Sequence, residues 1–184
     1  TLATEWVKEY SSDSHLPEVL LLLADANSRV GSRKDAAYYY EQIIDEYDKT
    51  PVGYEAMLHY ADYLYGVGYQ KRGLELYNKV LYETKDIRQA AQASFKLGMK
   101  LLDTKAYNQA IPYFRKIYDA DKALYTDEPL KALPILDGFI VLKDYKYALP
   151  LSKDLLEVLD KKSKEFEELL FKRAELLHYS GDLR

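Results

Sequence analysis

The chain has 184 residues, 48% of them hydrophobic, and its 26 basic and 30 acidic side chains give a formal charge of −4. That balance, with no basic block, leaves nucleic-acid or anionic-membrane binding without electrostatic support, and the lack of cysteine removes disulfides, thiolate metal sites and thiol nucleophiles together. The conspicuous apolar run, Val19 to Ala24, is far short of the roughly 20 residues that span a bilayer, so no direct membrane insertion is expected.

From the start of the chain, Ala3, Val7 and Tyr10 are spaced along one helical face, and Pro17 closes that segment. Helices are then expected in pairs. The first pair carries Ala24 and Ala36 around the breaker Val30-Gly31-Ser32, where Ser32 and Asp35 read as a variant of the capping box. The second carries Ala61 and Gly73 around Gly66-Val67-Gly68, and the third Gly98 and Ala110 around Asp103-Thr104-Lys105. The fourth carries Leu136 and Ala148 around Lys143-Asp144-Tyr145. Pro17, Pro51 and Pro129 punctuate between pairs, while Pro112 and Pro150 are tolerable only within the first turn of a helix. Pro134 predicts a kink or a late start and makes the fourth pair the least regular. Ser163 to Ser180 then places Leu170, Ala174 and Leu177 at first-helix spacing, ahead of a turn expected at Gly181-Asp182-Leu183-Arg184.

The small residues of the second helices, Ala36, Gly73, Ala110 and Ala148, return after 37, 37 and 38 residues, and those of the first helices lie twelve residues earlier each time. A period in this range with a fixed inner spacing is the mark of an array of stacked helical pairs. Tyr40, Tyr77, Phe114 and Ser152 lie four residues beyond the second small residue, and Ile43, Val80, Ile117 and Leu155 seven beyond, which predicts one buried stripe per unit. The expected organisation is a single array: residues 1–16 as the second helix of a preceding unit, 17–53, 54–90, 91–127 and a degenerate 128–165 as four units, and 166–184 as the first helix of a following one. Beginning and ending mid-unit, the pattern predicts a segment excised from a longer array.

These residues resemble the tetratricopeptide repeat (TPR): the pairs Leu23-Ala24, Tyr60-Ala61 and Leu97-Gly98 in first helices, Ala36 with Tyr40, Gly73 with Tyr77 and Ala110 with Phe114 in second helices, and a closing Pro51. The resemblance implies an all-α, right-handed solenoid of about ten helices. The units exceed the family's usual 34 residues by about one helical turn, and the constant inner spacing puts that excess at the junctions. Asn27 replaces an expected apolar residue, Ile135-Leu136 and Ser152 break the fourth unit's pattern, and Gly73 in place of alanine costs roughly 1 kcal/mol of helix stability that close packing must offset.

No nucleophile with its base, metal constellation or phosphate cradle stands out, so neither enzyme activity nor a cofactor is expected. His15, His59 and His178 are scattered, Gly66-Val67-Gly68 is a repeat turn rather than a nucleotide loop, and the pairs Glu41/Asp45 and Glu167/Glu168 read as solvated faces. The 19 tyrosines suit layer boundaries, where a ring packs and its hydroxyl reaches a polar edge. In the TPR family the first helices line a concave groove. Carried onto this chain, the residue after the first small residue gives Asp25, Asp62, Met99, Asp137 and Glu175, four of five acidic. Neighbouring turns add Leu21, Arg29, Leu58, Tyr65, Phe95, Asp103, Leu133, Phe171 and His178. Such a groove suits an amphipathic partner segment with Lys or Arg along one edge. Leu21 and Asp25 stand where members that clamp a carboxylate tail place basic and amide groups, so that mode is not expected. The implied function is a non-catalytic protein-interaction scaffold, with a purely architectural or self-associating segment as the alternative. In style the lengthened repeats are similar to those of bacterial envelope-assembly and flagellar-motor proteins, which favours the periplasm over the cytoplasm.

Overall fold

The computed structural model describes residues 2–181, and among them every regular element is an α-helix. In order these are α1 (Leu2–Glu9), α2 (Leu16–Arg29), α3 (Arg33–Tyr47), α4 (Pro51–Gly66), α5 (Gln70–Glu83) and α6 (Ile87–Asp103), then α7 (Tyr107–Ala120), α8 (Ala123–Asp127), α9 (Pro129–Val141), α10 (Tyr145–Val158) and α11 (Lys164–Ser180). The readings placed on Thr1 and on Asp182-Leu183-Arg184 lie outside the described residues, as does the side chain of Ala3. The chain divides into two compact units, Thr1–Ser94 and Phe95–Arg184. Unit 1 packs α2 on α3, α3 on α4 and α4 on α5, while unit 2 packs α9 on α10 and α10 on α11.

The expected stripe is buried in every pair. Tyr40, Tyr77, Phe114 and Ser152 are at most 1% exposed, and Ile43, Val80, Ile117 and Leu155 at most 2%. Unit 1 closes around Leu20, Ala24, Ala36, Tyr40, Tyr60 and Leu64, and unit 2 around Ile111, Phe114, Ile135, Leu136, Phe139 and Leu151. The small residues work as notches. A Cβ on Gly73 would stand 2.8 Å from the carbonyl oxygen of Ala61, so α4 and α5 approach more closely than an alanine allows. A Cβ on Gly98 would stand 2.5 Å from the Phe114 ring, which rests directly on that glycine.

The inner turns, 30–32, 67–69, 104–106 and 142–144, repeat one backbone design. Each has a residue in the left-handed region, Gly31 (φ 80°), Gly68 (98°), Lys105 (58°) and Lys143 (54°), spaced by the repeat period. The amide after it donates five residues back (Ser32 to Asn27, Tyr69 to Leu64, Ala106 to Leu101, Asp144 to Phe139), at 2.8–2.9 Å. This is the Schellman motif, which satisfies orphan carbonyls at a helix C-terminus and fixes the exit of the chain. It accounts for the invariant spacing inside each pair. At junctions the connections are 48–50, 84–86 and 159–163, with the one-turn α8 inserted between α7 and α9.

Three local expectations are corrected. Ser32 does not cap α3 through its side chain: its hydroxyl donates to the Asp35 carboxylate at 2.5 Å. Pro112 and Pro150 are not in first turns, since α7 begins at Tyr107 and α10 at Tyr145, and of the two outcomes expected at Pro134 the late start is absent, because α9 begins at Pro129. Each proline removes one intrahelical donor, and the carbonyls so released belong to Asn108, Lys146 and Leu130, all exposed residues, so the loss falls on the surface rather than in the core.

Candidate functional site

In unit 1 the residues proposed for the groove separate into a buried and an exposed set. Leu21 and Leu58 are 7% and 2% exposed and belong to the packed interior, whereas Arg29 and Asp62 are exposed and Tyr65 is half-buried. Asp25 has a side chain only 20% exposed and is enclosed by partners. The Tyr40 hydroxyl donates to its Oδ1 at 2.5 Å, and Nδ1 of His59, from α4, lies 2.9 Å from its Oδ2. One period on, the Tyr77 hydroxyl donates to Asp62 Oδ1. Burial first, and then the neighbouring carboxylate, push both hydroxyls well above the ordinary tyrosine range.

The acidic position is therefore also structural. A ring lying in the pair's interior reaches its own first helix fifteen residues back and ties the hydroxyl to the carboxylate. In unit 2 both ends of that tie change together: Phe114 has no hydroxyl, and Met99 stands where the carboxylate would be. Phe95 meets Phe114 edge-on at 5.9 Å, and both Phe95 and Met99 are half-buried. The next pair changes again. Ser152 donates to Leu149 O, Arg173 reaches both Ser152 and Leu149 O at 2.8 and 2.7 Å, and Asp137 is held by Lys172 at 2.6 Å.

The rest of the unit 2 set is more open. Leu133 is half-buried, Asp103 and Glu175 are exposed, Phe171 is 73% exposed, and His178 is exposed with its ring edge-on to Tyr179 at 5.3 Å. His59 and Lys172 were missed as partners of the acidic positions. Each sits two residues before the small position of the following unit, a register the pattern contains but that has meaning only once adjacent first helices are in contact. A second network supports Tyr60. Its hydroxyl donates to Glu41 at 2.9 Å, Arg72 donates to the same oxygen at 2.7 Å, and the Arg72 guanidinium lies 5.5 Å from the ring centroid.

Among the described residues no three His, Asp or Glu side chains are grouped to hold a metal ion, and no helix is long and apolar enough to cross a membrane. The chemistry on display is hydrogen bonding and charge on helix faces.

No family model matches the sequence, and no curated protein does. Solved structures do resemble it. Two crystal forms of MamA AMB-1 superpose with TM-scores of 0.62 and 0.60 at 16% and 17% identity, covering 92% and 88% of this chain and 85% and 87% of theirs. A MamA mutant gives 0.62 at 17% identity, covering 90% of this chain and 83% of its own. The likeness is one of fold: this chain is a helical-repeat, α-solenoid protein built of adjacent helix pairs.

Proposed function

We propose that the chain is a non-catalytic interaction scaffold of the tetratricopeptide type, and that its first-helix faces bind a basic, amphipathic protein segment. The observation that carries this reading is the acid left exposed at the recurring position, Asp62 in unit 1 and Glu175 in unit 2, beside half-buried or exposed Tyr65 and Phe171. A lysine or arginine on the partner meets an exposed carboxylate, while an apolar side chain meets the adjacent ring. Asp25, engaged by Tyr40 and His59, is a positioning residue in this scheme rather than a contact. The setting that matches the style of the repeats is an assembly in the bacterial envelope or at the flagellar motor, in the periplasm.

A fluorescent peptide alternating Lys and Leu, titrated with the protein and followed by anisotropy, tests the reading. Asp62→Asn and Glu175→Gln are each expected to weaken binding severalfold, and added salt to weaken it further. Binding indifferent to both substitutions removes the acidic face from the account. A second reading, self-association, is favoured by α11, where Leu170, Phe171 and Tyr179 are 45%, 73% and 70% exposed. Sedimentation showing a dimer in wild type and a monomer for Phe171→Glu supports it, and a monomer at all concentrations excludes it.

A further inference from the structure

We propose a second, oppositely charged docking surface in unit 1, at the end that carries the α2–α3 and α4–α5 turns, and that its occupant is an acidic protein segment with interspersed apolar side chains. Antiparallel pairs bring turns 30–32 and 67–69 to one end, and with them the last turn of α2 (Arg29) and the first turns of α3 (Arg33, Lys34) and α5 (Lys71, Arg72). The basic residues come from two stretches about one period apart, so no basic block shows along the sequence. Basic side chains in the first turn of a helix oppose its dipole. Arg33 and Lys34 gain nothing in exchange within the unit: like Arg29, they are exposed and have no carboxylate partner among the described residues.

The acids nearby are already engaged. Asp35 accepts the Ser32 hydroxyl at 2.5 Å, Glu41 accepts Tyr60 and Arg72, and Glu75 lies 4.0 Å from Lys71. Lys34, Tyr38 and Glu41 form one stripe along α3, at steps of four and three residues. The reach of Arg72 to Glu41 sets the start of α5 beside that stripe. Tyr69 stands one turn before Arg72, at a shallow cleft of about 490 Å³ whose lining also includes Gln70, Lys71 and the Lys71-paired Glu75. Tyr38 and Tyr69 are 62% and 65% exposed, so two open rings lie among exposed cations, of which Arg33 and Lys34 have no carboxylate partner among the described residues and Lys71 has only the long contact to Glu75. Carboxylates of a partner meet Arg33, Lys34 and Lys71 while its apolar side chains rest on the rings. A continuous anionic lipid surface fits less well, because it must also approach Asp35, Glu41 and Glu75, whereas a protein segment places its carboxylates one at a time.

This surface lies on α3 and α5, so it stands or falls separately from the first-helix face. The probe is a labelled short peptide alternating Glu and Leu, read by anisotropy at low salt. Lys34→Glu combined with Lys71→Glu is expected to weaken binding at least about tenfold. Tyr38→Ala is expected to weaken it severalfold, and Lys49→Glu, an exposed charge at the α3–α4 junction away from these turns, to leave it unchanged. The substituted side chains are exposed, and an unchanged circular dichroism spectrum confirms the fold of each variant. No binding by the wild type, binding unaffected by the double reversal, or preference for phosphatidylserine vesicles over the peptide overturns the proposal.

Discussion

Replacing Asp25 with Met and Tyr40 with Phe transplants into the first pair the combination that the third pair already uses, Met99 with Phe114. Tyr40 is 1% exposed and its hydroxyl meets Asp25 at 2.5 Å. Asp25→Met alone strips a charged acceptor from a buried donor and takes the partner from His59, a loss of about 2 kcal/mol on the scale of hydrogen bonds to charged groups. Tyr40→Phe alone leaves a carboxylate that still has His59 and some solvent, and costs about 1 kcal/mol. When both polar ends are gone no buried hydroxyl is left without an acceptor and the partly exposed His59 turns to solvent, so the double variant is expected to lose about 1 kcal/mol in total, a coupling of about 2 kcal/mol. Urea unfolding followed by circular dichroism measures the cycle. A coupling below about 0.5 kcal/mol, the usual error of additivity, refutes the claim that the hydroxyl–carboxylate tie holds the pair together.

Other outcomes follow from the same geometry. Gly73→Ala gains helix propensity yet drives a Cβ to 2.8 Å from Ala61 O, so thermal unfolding is expected at lower temperature, by about 1 kcal/mol or more of stability. Lys105→Gly and Lys143→Gly relieve left-handed backbone at φ 58° and 54°, a strain of about 1–2 kcal/mol partly offset by glycine's greater freedom when unfolded; each is expected to raise the unfolding midpoint slightly. Alkaline pH should unfold the protein cooperatively. Burial and the Glu41 contact raise the Tyr60 hydroxyl to about 12, and Tyr40, Tyr77, Tyr118 and Tyr125 are raised as well, Tyr118 with help from Asp154. Because these folded-state values exceed the unfolded value near 10, the stability they link to proton binding is complete below about pH 10 and is lost as pH rises through the folded values. Absorbance of tyrosinate against pH, compared with helix content, checks this: gradual ionisation of all tyrosines without helix loss contradicts it.

The packing was legible in the sequence because it rests on period and size. Ala24, Ala36, Tyr40 and Ile43 recur at fixed steps, and steps of three and four on a helix have one spatial meaning. The turns were half legible: Gly31 and Gly68 announce left-handed backbone, but Lys105 and Lys143 adopt it against their own preference, imposed by the Schellman geometry shared with the other pairs. Pro112 and Pro150 misled, because a proline's cost depends on whether the carbonyl it frees reaches water, which is a property of the folded surface. The acidic positions were visible as a row of potential contacts, but their structural ties were not. Asp25 reads as a surface charge until Tyr40, fifteen residues on, and His59, from the next first helix, are seen to converge on it. The joint change to Phe114 and Met99 was the one sequence signal of that tie.

The central claim, recognition of a basic segment by the first helices, is tested most directly by amide hydrogen exchange with and without the Lys-Leu peptide. The account predicts slowed exchange in α2 and α4 around Asp62 and in α11 around Glu175, with α3 and α5 unaffected. Protection confined to α3 and α5, or none at saturating peptide, contradicts it.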